Sequence, residues 1–153
     1  MSDSRIFDDI DLKILEILQE KARIPNAEVA RQVGMAPSAI LERIRKLELQ
    51  GVIQGYEVRL DPAHFGQGLT AFVELQTSGA VDIGQQLMAI PGAQEVFQTS
   101  GTSNYLCKLR LTSLEDLGRC LRDDFGALDG VSHVSARVVL DTLKETRKIS
   151  LDL

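Results

Sequence analysis

From Asp8 onward the apolar residues Ile10, Ile14, Ile17 and Leu18 recur at helical intervals, with Leu15 widening the stripe. This spacing predicts an amphipathic helix ending near Ala22, with Asp8 and Asp9 at its start as cap and as favourable helix-dipole charge. Pro25 and Asn26 restart the chain. Asn26 is the expected cap of a short second helix whose inward stripe is Val29, Ala30 and Val33. Gly34 stops that helix, and Pro37 opens a third at its first turn, where proline's missing N–H costs nothing. Two helices joined by a tight turn containing glycine predict a helix-turn-helix. On a wheel advancing about 100° per residue, Ile40, Ile44 and Leu47 fall within about 60° of one another and form the buried stripe. Ser38, Ala39, Glu42, Arg45 and Lys46 fall on the opposite side, with Arg43 and Leu41 on its borders.

The pattern then changes. In LELQGVIQGYEVRLDP, Gly51 suits a left-handed cap, Val52 and Ile53 return an apolar anchor to the core, and Gly55 permits a bend before an alternating strand from Tyr56 to Leu60. Asp61 and Pro62 end that strand. Beyond it LTAFVELQT alternates as a strand, VDIGQQLMAI reads as a short helix closed by Pro91 and Gly92, and AQEVFQTSG and NYLCKLRLT read as two strands joined by a glycine-containing turn. SLEDLGRCLRDDFGAL is a helix with Ser113 as cap, Leu114, Leu117, Cys120 and Leu121 inward and Gly126 near its end. VSHVSARVVL is the last strand. The order is βαββαβ, so the fold class is α+β: a winged helix-turn-helix over residues 1–55, a hinge strand and linker over 56–67, and a ferredoxin-like unit over 68–153. Such a sheet leaves one face bare. Its strands are rich in Val, Leu and Phe, so burial by a second copy, a homodimer, is expected.

Composition adds little except where charge is concentrated. The 153 residues are 44% hydrophobic, enough for a buried core, and no run of about 18 apolar residues suggests a membrane span. The start MSDSRIFDDIDLK is polar where a secretory signal is apolar, so a cytoplasmic location is expected. Cys107 and Cys120 form no C-x-x-C pair and have no histidine pair nearby, which predicts buried free thiols and no metal or other cofactor. The formal net charge is −5. Yet the window from Arg31 to Lys46 holds Arg31, Arg43, Arg45 and Lys46 against Glu42 alone. A basic patch on an acidic molecule predicts a polyanion on one face only. The outward side of the third helix is small at its start and cationic one or two turns later, as a major-groove helix requires: little bulk near base edges, hydrogen-bonding groups for those edges, cations for phosphate or guanine. The candidate DNA-binding set is therefore Pro37, Ser38, Ala39, Glu42, Arg43, Arg45 and Lys46. Two of these have a second reading: Glu42 as an exposed partner of Arg45 or Lys46, and Arg43 as a brace to a neighbouring helix.

The whole order resembles the Lrp/AsnC family of bacterial and archaeal transcription regulators. The resemblance is carried most specifically by DDIDLKILEILQEKARIPNAEVARQVGMAPSAILERIRKLELQGVIQGY with Gly51 and Gly55. It implies double-stranded DNA as partner, homodimers that often stack to octamers, and a small effector, commonly an amino acid, bound between dimers. Carried onto this chain, the effector set is Gly101, Thr102, Ser103, Asn104 and Tyr105, with Val134 and Ala136 on the last strand. Relatives usually show Gly-Asp-x-Asp-Tyr in that loop; here Thr102 and Asn104 replace both aspartates, and Val134 and Ala136 stand where threonines are often found. A plain β-turn is the alternative for the loop. Ala36, where many relatives have serine, forfeits a capping bond of about 0.5–2 kcal/mol. Two other functions fit the architecture. One is a DNA-coating protein with little sequence preference. The other is an enzyme similar to haem-pathway decarboxylases, for which His64 and His133 are the only histidines and show no orienting partner. A regulator that is not an enzyme is the expectation.

Overall fold

Asp8 opens the first helix, α1 (Asp9–Glu20), with a reciprocal capping box: its carboxylate accepts from the Asp11 N–H, and the Asp11 side chain accepts from the Asp8 N–H. A computed structural model of the chain describes residues 7–78 and 81–152, so the first six residues of the polar start lie outside the described residues. Two further helices follow, α2 (Asn26–Val33) and α3 (Pro37–Leu49). Asn26 is not the cap of α2. Pro25 takes that position, its fixed φ already extended-compatible and its carbonyl receiving the Glu28 N–H, so Asn26 becomes the first helical residue. Helix α3 begins at Pro37 as expected, and its cap Ala36 makes no side-chain hydrogen bond.

The helical stripes meet as the spacing predicts. Ile14, Leu15, Val29, Ala30, Ile40, Ile44 and Leu47 form one buried cluster, with Ile10, Ile17, Leu18, Val33, Val52 and Ile53 packed around it. Gly51, at φ 70°, lets the Val52 and Gly51 N–H groups turn back to the Leu47 and Glu48 carbonyls, which swings Val52 and Ile53 into that cluster. One more apolar residue joins from far along the chain. Leu151 packs on the same cluster, and the segment from Thr146 onward groups with the helical unit rather than with the sheet unit, which runs from Leu60 to Glu145. Chain order had placed that segment in the second unit, because an extended tail carries no periodicity that reveals its neighbours.

The expected strand Tyr56–Leu60 belongs to no sheet among the described residues, and Val58 is 84% exposed. A 3-10 turn, Pro62–Phe65, follows.

The second unit holds β1 (Leu69–Thr77), α4 (Gly84–Met88), β2 (Ala93–Gln98), β3 (Tyr105–Leu111), α5 (Leu114–Arg119) and β4 (Val131–Val138), in the antiparallel order β2-β3-β1-β4. Ala71, Val73 and Leu75 of β1 and Tyr105, Cys107, Leu109 and Leu111 of β3 point to the helix side and are buried with Ile83, Leu87, Leu117, Cys120 and Phe125. Gly92 closes α4: a methyl group on it would collide with the Arg110 carbonyl, and its φ is 82°. Two expectations fail in α5. Its α-helical part stops at Arg119, and Cys120–Phe125 is a π turn. At α spacing Cys120 and Phe125 would point about 140° apart; the wider turn brings both into the core. Leu114 is 62% exposed, because a first-turn side chain leans off the helix start, and the inward stripe begins at Leu117.

The open sheet face is less apolar than its strands suggested. Phe72, Phe97 and Leu106 lie there, but so do Thr70, Glu74, Glu95, Lys108, Arg110 and Arg137; the Val residues and most of the Leu residues went to the covered face.

Candidate functional site

Helix α3 presents the predicted surface. Ile40, Ile44 and Leu47 are buried, while Pro37, Ser38, Glu42, Arg45 and Lys46 are exposed and Ala39 is half-buried. The four cations of the basic window differ in what holds them. Arg31 is tied to Glu28 in its own helix at 2.6 Å, a contact that pulls the Glu28 carboxyl down to about 2 through its hydrogen bonds from Arg31 and Gln32. Arg43 turns away from the outward face: its Nη1 lies 2.7 Å from Asp8 Oδ2 and 2.7 Å from Asp11 Oδ1. These two acceptors hold Arg43 charged, raising its pKa, and the capping N–H of Asp11 together with Arg43 holds Asp8 below the usual carboxylate range. Arg43 thus braces α3 to α1. Arg45 meets Glu42 at 3.3 Å with both side chains well exposed. Lys46 has no ion-pair partner among the described residues. The outward face therefore offers one free cation, one loosely held cation, one carboxylate and two small side chains. Sequence reasoning missed Asp8 and Asp11 as the partners of Arg43; its place on the border of the wheel was the available signal.

In the second unit, the loop between β2 and β3 is closed by its own polar groups. The Thr99 N–H donates to the Asn104 carbonyl at 2.9 Å, the Thr99 hydroxyl to the Ser103 carbonyl at 2.6 Å, and Gly101 turns the chain at φ 104°. Asn104 faces inward. Its Oδ1 accepts the Thr77 N–H at 2.9 Å and its Nδ2 donates to the Thr77 hydroxyl at 2.6 Å. Tyr105 is buried, and its hydroxyl donates to Asp82 Oδ1 at 3.2 Å. Gly101 and Thr102 are exposed. Tyr105 and Val134 both pair with Leu75 and so share one row at the same end of the sheet, with Ala136 one step further in beside Val73. Val134 and Ala136 point to the helix side and pack on the core, away from solvent on the open face. A cavity of about 190 Å³ adjoins Tyr105, lined by Asp82, Gln85, Met88, Val96 and Gln98.

The other chemistry is spare. His64 stands 3.6 Å from Asp61 and is highly exposed, an orienting neighbour the sequence did not reveal. His133 is exposed on β4. Among the described residues no cluster of His, Cys, Asp and Glu could hold a metal ion, and no helix is long and apolar enough to cross a membrane.

Two family descriptions match the chain. Residues 7–48 match the AsnC-type helix-turn-helix domain, and residues 70–149 match the Lrp/AsnC ligand binding domain. The leucine-responsive regulatory protein of Salmonella typhimurium is 35% identical over 147 residues, covering 93% of this chain and 90% of that protein. The HTH-type transcriptional regulator FL11 of Pyrococcus furiosus is 33% identical over 146 residues, 94% of this chain and 96% of its own length. Among solved structures, a transcriptional regulator of Neisseria meningitidis in complex with L-Met superposes with a TM-score of 0.90 at 28% identity, covering 95% of this chain and 97% of that one. AsnC of E. coli superposes at 0.85 with 26% identity, over 94% and 97%.

Proposed function

The chain belongs to the Lrp/AsnC family of transcription regulators, and on that premise we propose which residues read DNA, which meet an effector and how copies assemble. Helix α3 enters the major groove with Pro37, Ser38 and Ala39 leading, Ser38, Ala39 and Glu42 facing base edges, and Arg45 and Lys46 on base edges or phosphates. The observation that carries this is the contrast on one helix: its apolar stripe is buried while Ser38 and Lys46, the latter with no ion-pair partner among the described residues, are exposed. Arg43 serves the interface from behind, as the brace to α1.

The loop Gly101–Tyr105 is the effector site of this reading, with Val134 and Ala136 shaping it only through the packing beneath. A small amino acid is the ligand class, a view supported by the methionine complex of the Neisseria relative. The working form is a homodimer that assembles further to an octamer in the cytoplasm. Support for the dimer comes from Tyr56, Val58 and Leu60, large side chains that are all exposed along one short segment; a second copy covers them. No catalytic role is assigned to His64 or His133.

Selection of bound duplex DNA by the purified protein, with and without a panel of amino acids, tests the proposal. Arg45→Ala should relax the recovered sequence preference, and Lys46→Ala should reduce the slope of log K against log salt by about one. Recovery of unrelated sequences with salt-sensitive affinity would favour a DNA-coating role instead. Unchanged preference and slope in both variants would remove α3 from the interface.

A further inference from the structure

After β4 the chain forms no further helix or strand among the described residues, yet it is held at successive points. In the sheet unit, Glu145 Oε2 accepts from Lys108 Nζ at 3.3 Å and from Arg110 Nη2 at 3.4 Å. Both cations belong to β3 and are largely shielded, with side-chain exposures of 11% and 14%, so their charge is answered in part by a residue outside the sheet. In the helical unit the next residues dock on α1. Gln19 Nε2 donates to the Ile149 carbonyl at 3.1 Å, and the Ile149 N–H donates to Gln19 Oε1 at 2.8 Å. Lys148 Nζ lies 2.7 Å from Glu20, and Arg147 Nη1 lies 2.5 Å from Glu57. Leu151 completes the helical cluster.

A tail that merely rests on a surface would show exposed ion pairs, which contribute little. Here a side-chain amide satisfies both backbone groups of one residue, which fixes register, and the partly buried Leu151 packs against the core, which fixes depth. Residues up to 149 fall within the stretch that matches the ligand binding domain. From Thr146 onward, however, they pack with the DNA-binding unit. The polypeptide thus passes between the units a second time at Glu145 and Thr146, after its first passage at Arg59 and Leu60.

We infer that the segment from Thr146 onward is a strap of the DNA-binding unit: by docking on α1 through Gln19, Glu20 and Leu151 it holds the helix against which Arg43 braces α3. DNA affinity therefore depends on residues that touch no DNA.

The test compares the full chain with one ending at Glu145, and both with Gln19→Ala in each background. Alanine is the better helix former, so a loss from Gln19→Ala is a loss of docking. Hydrogen exchange of α1 amides and affinity for a fixed duplex at fixed salt are the readouts. The strap predicts exchange of α1 and dissociation of DNA each raised by about tenfold in the shortened chain, the scale of one to two hydrogen bonds, with β1 and β3 protection unchanged. It also predicts a smaller loss from Gln19→Ala that disappears once the tail is gone. Where the shortened chain does not accumulate, Ile149→Pro in the full chain removes the donor to Gln19 and gives the same comparison. Unaltered α1 exchange and DNA affinity would overturn the inference, as would a Gln19→Ala effect of equal size in both backgrounds.

Discussion

Arg43 on α3 and Asp11 in the first turn of α1 are joined by an ion pair of 2.7 Å, the more shielded arm of a bridge whose other arm reaches Asp8 at the same distance. The pair fixes the helix that carries the candidate DNA contacts to the helix that opens the domain. Removing the guanidinium leaves Asp11, whose side chain is 14% exposed, with its charge unanswered. Arg43→Met should destabilise the helical unit by about 1–2 kcal/mol, a charged hydrogen bond discounted for the exposure of Asp8. Chemical denaturation of the two units measures this. DNA affinity should fall equally for all sequences with an unchanged salt slope, because Arg43 faces protein. A lowered slope would instead place Arg43 on phosphate.

The same bridge makes the helical unit sensitive to acid. Asp8 has a folded-state pKa below its ordinary value of 3.8, through the Asp11 N–H first and Arg43 second. A depressed carboxylate contributes stability that is full above its unfolded value and is lost as pH falls through the folded one. Helical-unit stability should therefore decline below about pH 4. Asp8→Asn should flatten that decline. Melting followed from pH 5 downward checks it; parallel curves for the variant and the parent would show that Asp8 carries none of the dependence.

Glu42 separates two readings of the outward face. Its carboxylate lies 3.3 Å from Arg45 Nη1, and both side chains are more than half exposed. As a partner of Arg45 only, it competes with DNA phosphate for that cation, and Glu42→Gln should tighten binding to every duplex by several-fold. As an acceptor from cytosine N4, it specifies a base, and Glu42→Gln should tighten non-specific binding while erasing discrimination at one position, worth about 1–3 kcal/mol. Affinity for a set of single-position operator variants distinguishes the two.

The three helices were legible because each places its apolar residues at one period, and every predicted inward residue from Ile10 to Ile53 reached the helical cluster. The strands of the second unit were legible for the same reason at period two. What escaped was set by partners distant in sequence. Tyr56 to Leu60 alternates like a strand, but a strand exists only where another supplies hydrogen bonds. Ile149 and Leu151 sit among polar residues, where no repeating pattern marks a docked segment. In the candidate sites, the exposed side of α3 followed from the wheel, whereas the inward turn of Asn104 toward Thr77 depended on a strand 27 residues earlier.

Cys107 and Cys120 should be inert in the folded protein. Both are fully buried and free; burial pushes the Cys107 thiol up to about 11, and burial with the neighbouring Asp124 pushes Cys120 to about 12. Thiolate is the reacting form, so at neutral pH labelling by a disulfide reagent should wait on unfolding of the sheet unit. Labelling at the rate of a free thiol would mean that the core opens readily. Mild oxidant should likewise leave DNA binding unchanged.

Asn104 offers a direct test of the effector reading. Its Oδ1 accepts the Thr77 N–H, and its Nδ2 meets the Thr77 hydroxyl. In Asn104→Asp the first bond survives, and the hydroxyl rotates to donate to the new oxygen, so the variant should fold with little loss. It also adds one negative charge to a loop whose own side chains carry none. If an amino acid binds at Gly101–Tyr105 with its ammonium group toward this loop, the variant should bind it about tenfold more tightly, one charge-assisted hydrogen bond of about 1.5 kcal/mol. Calorimetric titration with an amino acid and with the corresponding carboxylic acid lacking the amine makes the comparison. Only the amine should gain; equal changes for both ligands, or none for either, would place the effector elsewhere.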